Sequence, residues 1–345
     1  MKSRNISVGI AFNAYEPTIG RNQERVSEES VAQVAEEVCL AVASLGHSVT
    51  IIPLRQSLMG FLHRLTELEL DVLINLCEGF YGKPQWEANI AALLELLPLP
   101  FTGNVSQTLG LCQDKSKAKA ILSANNLPTA PSRAVNSCED SVDLPFPLIV
   151  KPNSEDASLG IYPDSVVKDQ ESLCKQITRI LERYEKPALV EQYIEGREFN
   201  VAVLQNERLE ALPVSEIDFS RMPESYPRIC SYEAKWFQDH FLYDSTPPVC
   251  PAKIDDALRE KLQETAVAAF KALGCRDYAR VDFRMAEDGR LSILEVNPNP
   301  DISRDAGYAR ALEAAKIDYK DFWKVLIENA LRRKNGHDPL DGKHG

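Results

Sequence analysis

The sequence predicts an α/β region built on an open parallel sheet, followed by an α+β region that closes with an antiparallel hairpin. Two observations support this prediction. Over the first hundred residues, short apolar runs alternate with amphipathic helical patterns at the spacing of crossover connections, which is typical of a parallel sheet. Near the carboxyl end, two stretches of alternating residues flank Asp288-Gly289, a dipeptide that strongly favours a hairpin turn.

The first region, residues 1–104, is expected to be one α/β domain. Its strands are predicted at Ile6–Phe12, Val49–Pro53, Val72–Leu76 and Pro98–Gly103. Its helices are predicted at Ser27–Leu45, Gln56–Leu68 and Glu87–Leu97. Ligands of open parallel sheets bind beyond the carboxyl ends of the strands. The loops Asn13–Arg25 and Asn75–Pro84 are therefore candidates for a binding site, with plain connections as the alternative.

A second domain is expected over residues 105–187. Helical periodicity covers Val105–Asn125 and is broken by Gln113-Asp114-Lys115. After it we predict a strand, a loop of small polar residues and a helix, at Pro145–Pro152, Asn153–Ile161 and Glu171–Arg183. Lys151 ends that strand, and a lysine followed by such a loop can meet a phosphate with one ammonium and several backbone N–H groups. The same pattern also fits an ordinary connection.

The third domain is expected over residues 188–334, and residues 335–345 are expected to form a disordered tail. Strands are predicted at Pro187–Gln192 and Arg197–Leu204, and helices at Asp256–Leu273, Asp305–Ala314 and Tyr319–Leu331. The stretch Asp218–Trp236 has little apolar periodicity and is predicted to be a long loop. Loops of this length are usually functional or disordered.

The predicted hairpin carries the clearest candidate for a metal site. Side chains alternate across a strand, so Arg280, Asp282 and Arg284 share one face of the first strand, and Glu295 and Asn297 share one face of the second. Two carboxylates and an amide oxygen are hard ligands that suit Mg²⁺ shared with nucleotide phosphates. A salt-bridged hairpin surface is the alternative interpretation.

The composition narrows the class of partner. A net charge of −12 over 345 residues argues against a nucleic-acid surface, because phosphate backbones require a basic face. The eight cysteines show no zinc-binding spacing and are interpreted as reduced structural thiols. The start of the chain has no signal-peptide pattern and no apolar run is long enough to span a bilayer, so we expect a cytoplasmic protein without a membrane partner.

Several separate motifs, in the same order along the chain, resemble the D-alanine–D-alanine ligase branch of the ATP-grasp superfamily. The resemblance covers about residues 5–334. It rests on Gln113-Asp114-Lys115, Ile149-Val150-Lys151-Pro152 with Ser158-Leu159-Gly160, Leu189–Ile194 with Gly196-x-Glu198-Phe199, Tyr232-Glu233-Ala234-Lys235, and Arg280-x-Asp282 with Glu295-Val296-Asn297. It implies an ATP-grasp fold behind an amino-terminal open parallel-sheet domain.

The resemblance also implies roles for the matched positions, with ATP and two Mg²⁺ ions as cofactors and Mn²⁺ as a substitute. The implied metal ligands are Asp282, Glu295 and Asn297, and the implied catalytic residues are Arg280, Ser158 and Lys235. The implied nucleotide-binding residues are Lys115, Lys151, Glu155, Glu191, Gln192, Tyr193, Ile194, Glu198 and, again, Lys235. On residue type alone, Glu191 and Glu198 fit an adenine amino group and a ribose diol, or the solubility residues of an edge strand.

The sequence departs from the family where amino acids are held. The usual acidic quartet of the first domain reads Gln85-Trp86-Glu87-Ala88, and Ala306 replaces the serine that meets the second substrate's carboxylate. A site built around one small zwitterion rejects others through its polar groups, so changed groups predict a changed substrate. The candidate substrate-binding residues are Glu24, Glu78, Arg228, Trp236, Asp301, Ser303 and Arg304.

These observations predict an ATP-dependent carboxylate–amine ligase that forms an amide or peptide bond through an acyl phosphate, with substrates other than two D-alanines. Its expected partners are small carboxylates and amines, with no nucleic acid, and a homodimer is expected from family likeness. Three alternatives stay open at this point. They are a true D-alanine–D-alanine ligase of peptidoglycan synthesis, an amino-acid ligase of a natural-product pathway such as mycosporine assembly, and an inactive nucleotide-binding module.

Overall fold

The first part of the chain forms a small parallel sheet. The computed structural model describes residues 5–14, 25–184 and 187–335, without the side chains of residues 25–30. Three parallel strands lie in the order β2-β1-β3, namely β1 (Ser7–Asn13), β2 (Ser48–Leu54) and β3 (Val72–Leu76). The helices between and after them are α1 (Arg25–Ser44), α2 (Leu58–Glu67) and α3 (Glu87–Glu95). The predicted alternation of strands and helices is therefore confirmed.

The predicted return of Pro98–Gly103 to the sheet is confirmed, but as a single bridge rather than a full strand. Only Phe101 forms a parallel bridge, with Leu73 of β3. Two prolines, Pro98 and Pro100, lack the amide N–H that a sheet ladder needs, which limits pairing to this single bridge.

The middle of the chain contains a second, antiparallel sheet. Two helices precede it, α4 (Ser106–Gln113) and α5 (Lys115–Ala124), and the predicted break falls at Asp114, whose side chain caps α5. The strands lie in the order β4-β7-β5-β6, namely β4 (Ser132–Val135), β5 (Leu148–Pro152), β6 (Val166–Val167) and β7 (Ala188–Gln192). One helix, α6 (Gln170–Tyr184), packs on β5 and β7. The boundary predicted after residue 187 thus falls inside this sheet.

The last part forms a larger antiparallel sheet in the order β11-β10-β8-β12-β13, with β9 beside β8. Its strands are β8 (Gly196–Gln205), β9 (Leu209–Ala211), β10 (Ser215–Ile217), β11 (Pro248–Val249), β12 (Tyr278–Ala286) and β13 (Leu291–Asn297). Its helices are α7 (Tyr232–Trp236), α8 (Phe241–Asp244), α9 (Asp256–Ala272), α10 (Gly307–Ala314) and α11 (Tyr319–Lys334).

The predicted hairpin is confirmed as β12 and β13, joined by a turn at Asp288-Gly289 in which Gly289 has a φ of +80°. The predicted loop over Asp218–Trp236 is wrong for its last five residues, which form α7. Ser231 caps this short helix by accepting a hydrogen bond from the Ala234 amide, and that local bond outweighs the weak apolar periodicity.

The last two helices return to the first sheet. Tyr308 of α10 and Phe322 and Trp323 of α11 are fully buried in one hydrophobic core with residues of β1, β3 and α1. This packing places the segment that connects β13 to α10 between the third sheet and the amino-terminal strands. The segment, residues 298–306, therefore forms part of the site described below.

The predictions about the cysteines, membrane spans and carboxyl-terminal tail can each be compared with the structure. All eight cysteines are free thiols. Within the described ranges, the helices are too short or too polar for any of them to cross a lipid bilayer. The expected disordered tail lies, apart from Asn335, outside the described residues.

Candidate active site

A cavity of about 660 Å³ opens between the second sheet, the third sheet and the segment before α10. Most of the residues predicted from the sequence line it. They are Lys151, Ser158, Glu191, Gln192, Tyr193, Ile194, Glu198, Lys235, Trp236, Arg280, Asp282, Glu295, Asp301 and Ser303. Residues far apart in the sequence thus meet around one space large enough for a small ligand.

The predicted metal ligands face each other across the hairpin. Asp282 is paired with Glu295, and Arg280 with Asn297, in the register of β12 and β13. The Arg280 guanidinium donates to both oxygens of Asp282, from Nε and Nη2, at 2.7 Å each. The Asn297 amide nitrogen donates to Asp282 at 3.2 Å and to Glu295 at 3.3 Å. Two carboxylates and one amide therefore converge within hydrogen-bond distance.

The Glu295 carboxylate is held in its ionised form by surrounding cations. Burial opposes its ionisation, but the charges of Lys115, Lys151 and Arg280 outweigh burial and lower the pKa of Glu295 to about 2. Lys115 Nζ lies 3.3 Å from Glu295 Oε2. A carboxylate that stays charged at all physiological pH values is suited to binding a cation.

The donor set fits Mg²⁺. Two ionised carboxylates and an amide oxygen are the hard ligands that this ion takes when it shares its remaining positions with phosphates and water. Turning the Asn297 amide about its last torsion presents the oxygen instead of the nitrogen. Within the described residues no group of three or more His, Cys, Asp or Glu side chains has metal-binding geometry, which agrees with a third ligand that is an amide.

The predicted phosphate lysines are buried cations beside the metal ligands. Lys115 is 3% exposed, and its ammonium donates to the Glu155 carbonyl at 2.6 Å and to Asp156 at 3.0 Å. The Asp156 and Glu295 charges outweigh burial and raise the pKa of Lys115. The contact of Glu155 with Lys115 is made by its backbone carbonyl, and Glu155 is not among the residues that line the cavity. Lys151 Nζ lies 3.3 Å from Glu191.

Glu191 is 1% exposed and lies between two lysines. Lys151 approaches one of its oxygens, and Lys119 Nζ approaches the other at 2.7 Å. Burial would raise the pKa of Glu191, but these two positive charges lower it. The carboxylate therefore holds the two lysines in place as well as lining the cavity.

The strand end after Glu191 offers only part of its backbone to a ligand. The amides of Gln192 and Tyr193 already donate to the carbonyls of Pro131 and Pro147. The predicted adenosine contacts therefore depend on backbone carbonyls and on Ile194. Glu198, the predicted ribose ligand, lies 3.3 Å from the buried guanidinium of Arg284. Burial raises the pKa of Glu198, and Arg284 opposes this rise.

Two loops meet over the cavity. The predicted catalytic residue Ser158 donates its hydroxyl to the Cys230 carbonyl at 2.9 Å, and Trp236 Nε1 donates to the Ala157 carbonyl at 3.0 Å. Ala157, Ser158 and Gly160 all have positive φ values. At Gly160 a Cβ atom would lie 2.6 Å from Pro152, so this close turn requires glycine. Ser158 and Trp236 thus fasten the two loops together.

The predicted substrate residues divide into two groups. Asp301 and Ser303 line the cavity, and Ser303 Oγ donates to Asp301 at 2.7 Å. Glu78 lies beside them, and the crowding of protein atoms around it and the Asp301 charge raise its pKa to about 7. The neighbouring Glu87, also predicted to differ from the family pattern, accepts from Asn299 at 2.7 Å, and burial raises its pKa to about 8.

The other predicted substrate residues lie elsewhere. Arg228 is half-exposed and lies 3.5 Å from Glu195, and it does not line the cavity. Arg304 is exposed, stacks on Tyr319, and is also outside the lining. Glu24 lies outside the described residues. The two arginines were predicted from charge and sequence position alone, and the path of the backbone turns them toward other partners.

Three residues of this site were missed by the sequence analysis. Lys119 follows Lys115 by one helical turn and therefore shares its face of α5, a signal that was available. Asn200 follows Glu198 by two positions on β8 and donates to Asp282 at 2.9 Å, again as strand alternation implies. Arg310 lines the cavity from α10, and nothing in the sequence around it indicates this position.

Comparisons with known proteins identify the family of this chain. The family model described as "D-ala D-ala ligase C-terminus" matches residues 116–328. The chain is 33% identical over 318 residues to a D-alanine–D-alanine ligase of Anaeromyxobacter sp. (strain Fw109-5), covering 90% of this chain and 94% of that one. It is 32% identical over 316 residues to an uncharacterized protein, y4sG, of Sinorhizobium fredii, covering 89% and 90%.

The structure is similar to that of a D-alanine–D-alanine ligase from Bacillus anthracis complexed with ATP, with a TM-score of 0.74 and 23% identity over 96% of this chain and 99% of that one. The fold is that of an ATP-grasp protein, as predicted. The chain belongs to the D-alanine–D-alanine ligase family. It is a carbon–nitrogen ligase, and its cofactors are ATP and Mg²⁺.

Proposed function

We propose that this protein is an ATP-dependent carboxylate–amine ligase that works through an acyl phosphate and whose two substrates are not both D-alanine. One contrast carries the proposal. The residues matched to nucleotide and metal roles come from the second and third sheets and gather around Glu191, Asp282 and Glu295. In the segment before α10, Ala306 stands where the resemblance expected a serine, and Ala306 and Asp301 both line the cavity.

The chemistry follows from the leaving group. A carboxylate cannot lose oxide, so transfer of the γ-phosphoryl group of ATP to the carboxylate oxygen is needed to create phosphate as a leaving group. The amine then attacks the carbonyl carbon and forms the C–N bond as phosphate departs. The protein contributes positions and charges rather than covalent bonds.

Named residues supply those positions and charges. Lys115 and Lys151 are buried cations that would meet the ATP phosphates. Asp282, Glu295 and Asn297 would hold Mg²⁺, which offsets phosphate charge when bound. With Asp282 engaged in this way, Arg280 is free to meet the negative charge that develops on the substrate oxygen. Trp236 and Ser158 hold the covering loops that exclude water from the acyl phosphate.

The test is acceptor-dependent formation of ADP from ATP and Mg²⁺. The purified protein is assayed with D-alanine alone, and then with pairs drawn from the L- and D-amino acids and small carboxylates. The proposal predicts at least one pair that exceeds the rate with D-alanine by tenfold or more. A D-alanine rate above that of every other pair contradicts it.

A true D-alanine–D-alanine ligase is the second candidate, because curated relatives with that name reach 33% identity over most of the chain. The same assay separates the two. A protein that binds ATP and never forms ADP in response to any acceptor would instead be an inactive nucleotide-binding module.

A further inference from the structure

One lobe of the cavity lies between α1 and the start of α10, away from the nucleotide face. Its walls include Gln33 and Glu37 of α1 on one side, and Ala306, Gly307 and Arg310 on the other. Its polar groups are not fully used by the protein itself, which makes the lobe a candidate for ligand recognition beyond the general ligase chemistry proposed above.

Arg310 lines this cavity and has an N–H donor that makes no hydrogen bond within the described residues. Its Nε is buried and has no hydrogen-bond partner among the described residues. Its Nη1 donates to the Asp305 carbonyl, so the guanidinium is folded back over the first turn of its own helix. Among the described side chains, no carboxylate lies within ion-pair distance of it.

The other arginines of the lining are engaged or open to water. Arg280 makes two hydrogen bonds to Asp282, and Arg284 is paired with Glu198. Arg221 is exposed. A buried guanidinium nitrogen without a partner costs free energy unless a ligand supplies the acceptor. A carboxylate matches the planar fork of an arginine best.

The position of the guanidinium supports the same ligand. It lies at the level of residues 305–307, beside Ala306, where the resemblance expected a serine hydroxyl to meet a substrate carboxylate. Ala306 precedes α10 and offers no side-chain cap, and Ala306 and Gly307 both line the lobe. The arginine thus stands in for the missing hydroxyl, with a full positive charge.

The remaining charged groups of the lobe limit the negative charge that a ligand can carry. Glu37 Oε1 accepts from Gln33 at 3.3 Å, while the buried Glu37 Oε2 has no hydrogen bond among the described residues and lies 4.0 Å from Arg304. Asp301 adds a second negative charge to the lining. A ligand carboxylate can therefore bind only at the Arg310 guanidinium, whose Nε has no partner among the described residues, because elsewhere in the lobe Glu37 and Asp301 repel a second negative charge.

We infer that Arg310 selects the amine substrate by its carboxylate, and that Glu37 with Asp301 restricts this substrate to one carboxylate and a neutral or cationic remainder. This inference rests on the proposed ligase function and adds the charge class of the acceptor. Amino monocarboxylates fit the lobe, whereas aspartate-like and glutamate-like acceptors do not.

The experiment measures melting temperature in the presence of ADP and Mg²⁺, with single additions of the L- and D-amino acids and of their carboxamides. We expect at least one neutral or basic amino acid to raise the wild-type melting temperature by about 2 °C or more. Its carboxamide should have no effect, and acidic amino acids should have none. In Arg310→Gln the rise should disappear, and in Arg310→Lys it should return in part.

The controls make each outcome decisive. Arg290→Gln alters an exposed arginine of the hairpin turn and should respond as the wild type does. The inference is overturned if acid and carboxamide act equally, if Arg310→Gln keeps the full response, or if no amino acid stabilises a wild type that ADP and Mg²⁺ do stabilise. Failure of ADP and Mg²⁺ to raise the wild-type melting temperature would instead overturn the proposed ligase function. In Glu37→Gln, acidic amino acids should begin to stabilise the protein.

Discussion

Two parts of the cavity differ in how their charges are satisfied. They are the nucleotide wall, which includes Glu191, Asp282 and Glu295, and the substrate wall, which includes Glu37, Asp301 and Arg310. On the nucleotide wall almost every charge has a partner: Lys119 and Lys151 flank Glu191, and Arg280 covers Asp282. On the substrate wall, Glu37 Oε2 and Arg310 Nε are buried without a hydrogen bond among the described residues, and Arg304 approaches Glu37 Oε2 only to 4.0 Å. Glu191 Oε2 also lacks a hydrogen bond, but Lys119 Nζ lies 2.7 Å from it. The charged side chains of the nucleotide wall are held by ion pairs without a ligand. The substrate wall has polar groups whose hydrogen bonds a ligand would supply.

This difference matches the chemistry that each wall must perform. Nucleotide phosphates and Mg²⁺ are the same in every enzyme of the family, so a fixed charge array serves all of them. A substrate wall determines specificity, and specificity depends on polar groups that only the correct ligand satisfies. Replacements on the substrate wall can therefore change the substrate while leaving the nucleotide wall intact.

The largest expected loss of activity follows from removing a metal ligand on the nucleotide wall. Glu295→Gln removes a carboxylate from the metal ligands, and we expect acceptor-dependent ADP formation to fall by about 10³-fold or more. The folded structure should persist, as judged by circular dichroism. Glu287→Gln, an exposed neighbour on the same hairpin, should keep wild-type activity. A Glu295→Gln enzyme within tenfold of the wild type would contradict the assigned metal role.

The next prediction separates binding from chemistry on the same wall. Arg280→Gln should lower kcat by about 10² to 10³-fold, because a donor to developing negative charge is lost. Its affinity for ATP with Mg²⁺ should be unchanged or increased, since Asp282 no longer has an arginine partner. Steady-state kinetics and calorimetric titration with an ATP analogue measure the two quantities. Equal losses in affinity and kcat would show that Arg280 serves only the fold.

A stability measurement tests whether the buried charges are as tightly paired as the structure shows. Lys119→Met leaves the buried Glu191 with one cation in place of two, and we expect the free energy of unfolding to fall by about 3 kcal/mol. Urea denaturation measures the change. Lys117→Met is the matched control two residues away, because Lys117 is 73% exposed and should change stability by less than about 0.5 kcal/mol.

The smallest prediction concerns Glu87, which is hydrogen-bonded to Asn299 next to the cavity, and the pH dependence of stability. Burial raises the pKa of Glu87 from its ordinary value near 4 to about 8, so the folded state keeps a proton there that the unfolded state has lost. Stability from this group is fully present below about pH 4 and declines as the pH rises through about 8. We therefore expect Glu87→Gln to be about 1–3 kcal/mol more stable than the wild type at pH 9.

At pH 5 the Glu87→Gln variant and the wild type should differ little in stability. The Asn299 amide still finds an oxygen acceptor in the glutamine, so its hydrogen bond persists. Glu36→Gln, at an exposed site on α1, should follow the wild-type pH profile. Equal stability of Glu87→Gln and the wild type across the whole pH range would contradict the raised pKa.

The sequence could predict those parts of the site that strand and helix periodicity place together. Alternation placed Asp282 on one face of its strand and Glu295 on one face of the other. The pairing of the two carboxylates also depends on a β-bulge between Asp282 and Phe283, without which Asp282 would pair with Leu294 and Glu295 would lie on the other face. Arg310 could not be found in this way, because its position depends on how α10 packs against the first sheet. For the same reason the sequence did not indicate that Arg228 and Arg304 lie outside the cavity lining. Long-range packing decides which exposed-looking arginines enter a cavity, and no local pattern contains that information.

The most direct test of the account is an experimental structure with Mg²⁺ and a non-hydrolysable ATP analogue. The account predicts electron density for Mg²⁺ bound by Asp282, Glu295 and Asn297 and bridging the terminal phosphates, with Lys115 and Lys151 on the phosphate oxygens. Arg280 should have left Asp282. A bound nucleotide with no ion at the hairpin, and with Arg280 still paired to Asp282, would contradict the central claim.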